Sequence, residues 1–81
     1  MRTKYKCDGY NAVIADDMNE AAEIFATRQA RRDYGKIGYC YICNINSWAK
    51  NNMTAAYNCF IGYASNGGTS GRNITLLIEV A

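Results

Sequence analysis

Histidine and proline are both missing from this 81-residue chain. Without histidine there is no Ser-His or Cys-His nucleophile pair, no imidazole base and no imidazole metal ligand. Without proline, no turn is fixed by a pyrrolidine ring. Long apolar runs are also missing. No segment approaches the roughly 18 consecutive apolar residues of a membrane helix. Charge of one sign is scarce as well. Nine basic and seven acidic residues leave a formal +2, too mild to name nucleic acid as partner and of the wrong sign for a DNA mimic.

What is present suits one small globular domain over residues 1–81. Hydrophobic residues make up 49% of the chain, too many for disorder. The first residues, MRTKYKCDGYN, carry basic side chains with no apolar run behind them. No secretion signal is expected, and cytoplasmic is the expected location. The four cysteines, Cys7, Cys40, Cys43 and Cys59, are then expected to be reduced.

The organising segment is residues 17–35, DMNEAAEIFATRQARRDYG. Asp17 is a good N-cap, and Glu20 completes a capping-box pattern. Met18, Ala21, Ala22 and Phe25 form an apolar stripe with Ala26 at its edge. Gly35 stands where a left-handed C′ residue belongs. Residues 2–15 read as extended, interrupted at Asp8-Gly9 either by a short hairpin or by a bulge in one strand, the bulge slightly favoured. Residues 37–46 and 54–63 alternate as strands, joined by the polar segment SWAKNNM with Asn51-Asn52 as turn residues. Residues 64–72, ASNGGTSGR, read as a flexible loop, and residues 73–80 as a closing strand. The expected fold is α+β: a single helix packed on a mostly antiparallel four-stranded sheet, in the order β-α-β-β-β.

Motifs for chemistry are weak. Cys40-Tyr41-Ile42-Cys43 is a CxxC inside a strand, where residues three apart face opposite ways, and no second CxxC completes a zinc template. Its cysteines are expected to be small buried hydrophobes. The glycine loop 67–72 leads into a strand and not into the helix N-terminus that phosphate loops use. The sequons at Asn52 and Asn73 have no secretory context. No catalytic residue, cofactor or metal is expected.

Binding residues are better represented. Arg28, Arg31 and Arg32 close the helix, with Lys36 beyond. They suit the negative end of the helix dipole. None has an acidic residue four positions earlier, and Arg28 and Arg32 are a like-charge i,i+4 pair, which costs stability by itself. This points to a contact with an acidic protein surface or with phosphates. Arg72 at the loop base is a further candidate. Tyr39, Tyr41, Tyr57 and Tyr63 are like-numbered positions on neighbouring strands. They would form either an open tyrosine face or the core beneath the helix.

The layout, with ADDMNEAAEIFATR entering the helix, EAAEIFATRQAR within it and a hairpin behind it, resembles small proteins of phages and other mobile elements, among them anti-CRISPR proteins. That resemblance implies a stoichiometric inhibitor of a host complex such as a CRISPR effector. The alternative is a nucleic-acid-binding domain with arginines on phosphates and tyrosines on bases. Homodimerisation through a sheet edge or the tyrosine face stays open.

Overall fold

The computed structural model describes residues 2–46, 54–65 and 67–81, with the backbone alone described for residues 42–46. The segment 47–53, with its Asn51-Asn52 turn, lies outside the described residues. Five strands and one helix follow in the order β1 (Thr3–Cys7), β2 (Val13–Ala15), α1 (Met18–Tyr34), β3 (Tyr39–Asn46), β4 (Thr54–Ser65) and β5 (Gly68–Val80). The fold is α+β, with one antiparallel sheet in the order β2-β1-β5-β4-β3. Five strands replace the expected four, and the order becomes β-β-α-β-β-β.

The extra strand comes from Asp8-Gly9. The Tyr10 amide donates to the Cys7 carbonyl at 3.1 Å, and Gly9 has φ 87°. The chain therefore reverses here. Tyr5 pairs with Val13 and Thr3 with Ala15, so the hairpin replaces the bulged single strand. Gly9 alone has positive φ in this turn, whereas a type I′ turn needs it at both central residues. Arg2 closes the open end of the hairpin. Its guanidinium donates to the Ile14 carbonyl at 2.9 Å and pairs with Asp16 at 3.2 Å.

Helix α1 starts and stops as its sequence dictates. The Asp17 carboxylate accepts from the Glu20 amide at 2.8 Å, and the Gly35 amide donates to the Arg31 carbonyl from a residue at φ 73°. The Glu20 carboxylate turns instead toward Arg2, at 3.9 Å, so only half of the capping box forms. The buried stripe is Ala21, Ala22, Phe25, Ala26 and Ala30. Four alanines bring the helix backbone close to the sheet, and Phe25 fills the space between. Burying a phenylalanine contributes roughly 1.5–3 kcal/mol. It packs there against the tilted ring of Tyr10, with centroids 5.5 Å apart.

The sheet supplies Tyr5, Cys7, Val13, Ala15, Ala55, Tyr57, Cys59, Ile61, Leu76 and Ile78 to the same core. Burial raises the Tyr57 phenol above its ordinary pKa. Burial raises the Cys7 thiol likewise, with Asp8 adding to the effect.

Two boundaries differ from expectation at the helix end and at the glycine loop. Residues 35–37 form a turn of 3₁₀-helix, so β3 begins at Tyr39 and Ile37 is exposed. Gly38 then passes so near the helix that a Cβ on it would lie 2.3 Å from the Ala30 carbonyl oxygen. The glycine- and serine-rich stretch is not a loose loop. It continues the β4–β5 ladder through Gly62–Gly71 and Ala64–Thr69 to Ser65–Gly68. Gly67, just before the first residue of β5, has φ 96°, which glycine adopts without steric cost.

Candidate functional site: the basic helix end and its cleft

The last turns of α1 carry four exposed cations, Arg28, Arg31, Arg32 and, just beyond, Lys36. Among the described residues none of the four has an ion pair. With about 3.6 residues per turn, Arg28 and Arg32 share one flank of the helix and Arg31 projects from the side away from the sheet. The flank with Arg28 and Arg32 faces the β1–β2 turn. Arg28 donates to the Asn11 carbonyl at 3.1 Å. Gly9, Tyr10, Asn11, Arg28 and Arg32 together line an open cleft of about 380 Å³.

A polar chain fixes this cleft to the rest of the molecule. The Tyr10 hydroxyl donates to Gln29 Oε1 at 2.7 Å, and Gln29 Nε2 donates to Asp33 Oδ2 at 3.0 Å. Arg72, on β5, donates to the same Asp33 oxygen and to the Tyr34 hydroxyl, the latter at 3.1 Å. Hydrogen bonds from Gln29 and Arg72 hold the Asp33 carboxyl below its ordinary range. Burial raises the Tyr10 phenol and the Cys7 thiol adds to this, while Arg32 pulls the other way. Tyr34 continues the chain of contacts to Tyr63 of β4, with ring centroids 5.2 Å apart.

The residues expected to bind a partner therefore divide. Arg28, Arg31, Arg32 and Lys36 stand together at the helix end. Arg72 is spoken for by Asp33 and Tyr34. The tyrosines do not share a face. Tyr57 lies in the core at 3% exposure, and Tyr63 packs against Tyr34 on the helix side. Tyr39 and Tyr41 are on the other side of the sheet. There they flank Phe60, with centroids 6.2 and 5.2 Å from its ring, and Tyr41 is 54% exposed.

The reason is a register shift between Ile42 and Asn44. On the side toward residue 46, odd positions of β3 lie opposite odd positions of β4, as Ile45 does to Tyr57. Past the irregularity, Tyr41 is opposite Phe60 and Tyr39 opposite Gly62. One extra residue in a strand exchanges the faces of everything beyond it.

Tyr10, Gln29 and Asp33 are not among the residues expected from the sequence to bind. Gln29 and Asp33 stand at i,i+4, a spacing that favours this hydrogen bond on a helix. The Arg72–Asp33 pair had no local signal. Of the CxxC pair, Cys40 approaches the Thr27 hydroxyl at 3.2 Å, while the side chain of Cys43 lies outside the described residues. Among the described residues no three of His, Cys, Asp or Glu gather as metal ligands. None of the described helices is long and apolar enough to cross a membrane.

Comparison with protein-family models, with curated proteins and with solved structures gives no match.

Proposed function

We propose that this chain is a small non-enzymatic binding protein that docks on an acidic surface of a larger protein complex through the end of α1. The observation that carries the reading is the group of four exposed cations, Arg28, Arg31, Arg32 and Lys36, with no ion pair among the described residues. A helix dipole rewards one or two such charges and not a like-charged i,i+4 pair. The resemblance in layout to anti-CRISPR proteins supplies the partner class to try first, a host CRISPR effector complex, with blockade by contact as the mode of action.

The nucleic-acid reading needs arginines and exposed rings on one strand of ligand. The arginines lie on the helix layer, whereas Tyr39, Phe60 and Tyr41 lie across the sheet from it. A ligand using both sets would have to pass around the sheet edge. This weighs for protein contact.

Two assays decide between them. In the first, a panel of purified CRISPR effector complexes is assayed for target cleavage with added protein. The expected result is inhibition that saturates near one protein per complex, and unchanged cleavage at large excess contradicts the partner class. In the second, binding to generic oligonucleotides is followed against salt. Tight binding with a steep salt slope would favour the alternative. No binding at physiological salt, together with a protein partner, would remove it.

A further inference from the structure

We infer that the cleft between α1 and the β1–β2 turn is a binding site for a phosphate monoester dianion. The inference deepens the proposed contact at the helix end but uses a different set of residues, since Arg31 and Lys36 are not part of the cleft wall. Among the described residues, two guanidinium groups line the cleft and no carboxylate does. The nearby acids, Asp8 and Asp33, are not among the described residues of this cleft's wall. Asp33 is held by Gln29 and Arg72, and Asp8 lines the neighbouring clefts. The cleft is therefore a concave surface with two positive charges and no compensating negative charge in its wall.

The remaining donors suit a many-oxygen anion. Arg28 spends one nitrogen on the Asn11 carbonyl, and a guanidinium has five N–H groups to give. Arg32 makes no ion pair among the described residues. The amides of Gly9 and Asn11 donate to no backbone carbonyl among the described residues, unlike that of Tyr10. A phosphate monoester brings about two negative charges and three acceptor oxygens near neutral pH. It can take one fork from each arginine, which relieves the repulsion between Arg28 and Arg32. A diester carries one charge and two free oxygens and satisfies the pair less well. The hydrogen bond from Tyr10 to Gln29 holds the turn against the helix, so the cleft is formed before ligand arrives.

The test is an NMR titration of the ¹⁵N-labelled full chain with phenyl phosphate, inorganic phosphate, dimethyl phosphate and a thymidine oligomer, at constant ionic strength and neutral pH. The expected result is saturable shifts at the Gly9, Tyr10 and Asn11 amides and at the Arg28 and Arg32 side chains with the first two ligands. Dimethyl phosphate should bind at least several-fold more weakly. Arg28→Gln with Arg32→Gln, which keeps the helix propensity and the side-chain stems, should weaken phenyl phosphate at least tenfold, and Arg31→Gln should leave it within twofold. No saturable shift with either phosphate would overturn the inference, as would equal loss in Arg31→Gln. Binding of the thymidine oligomer at this cleft as tight as phenyl phosphate would overturn the monoester assignment. The partner contact is read separately, on capture of a protein complex, so either reading fails without the other.

Discussion

Arg72 of β5 and Asp33 of α1 form an ion pair across 39 positions of the chain, and that pair closes the helix end onto the sheet. It sits at the centre of a run of contacts from Tyr10 through Gln29 and Asp33 to Arg72 and Tyr34. Through this run the β1–β2 turn, the helix and the β4–β5 hairpin are held as one unit beside the exposed arginines.

The pair has a pH signature. Asp33 has a depressed pKa in the folded protein, first through Gln29 and then through Arg72. Its contribution is therefore complete above the unfolded carboxylate value of about 3.9 and is lost as pH falls through the lower folded value. Urea denaturation of the native protein and of Asp33→Asn should differ most at neutral pH. The two curves should converge as pH drops below the ordinary carboxylate range. A gap that stays constant down to strongly acid pH would show that the carboxylate charge is not what Arg72 and Gln29 hold.

Tyr10→Phe removes one hydroxyl and leaves the ring contact with Phe25. The loss should be about 0.5–1.5 kcal/mol, the net value of a typical hydrogen bond. Exchange at the Tyr10 amide, which is bonded to the Cys7 carbonyl, should speed up more than in the β4–β5 ladder, because the Tyr10–Gln29 bond ties the turn to the helix. Exchange that rises equally throughout would mean that the turn has no separate anchorage.

Gly38→Ala probes the close approach to the helix of the residue that precedes β3. The new methyl would stand 2.3 Å from the Ala30 carbonyl oxygen and 2.6 Å from its carbon. Both are backbone atoms, so a rotamer change gives no escape. The expected cost is at or above the upper end of the ~1–3 kcal/mol of ordinary overpacking, measured by thermal or urea unfolding. A neutral effect would contradict the close seating of the helix.

The parts of this fold that were legible in the sequence were governed by local chemistry. Asp17 and Gly35 mark the helix ends because a carboxylate cap and a left-handed glycine act within one turn. The alanine-rich stripe with Phe25 follows from a period carried by the chain itself. The glycine-rich stretch 64–72 misled because its side chains give no strand signal, and its ladder is the continuation of a pairing set further along β4. The register shift between Ile42 and Asn44 is a property of two strands together, so alternation along one strand could not reveal it. That shift separates Tyr39 and Tyr41 from Tyr57 and Tyr63. At the candidate site the arginines were visible by their charge spacing. Asp33 and Arg72 were not visible as partners, because only the folded chain brings them together.

The proposed contact surface is the group of cations at the end of α1. The most direct measurement is capture of partners from a bacterial lysate by the native protein and by an Arg28→Glu, Arg31→Glu, Arg32→Glu variant whose fold is verified by circular dichroism, with quantification of each recovered protein. The expected result is a defined protein complex recovered by the native chain and lost, by tenfold or more, with the variant. Recovery of the same partners in the same amounts by both would contradict the claim.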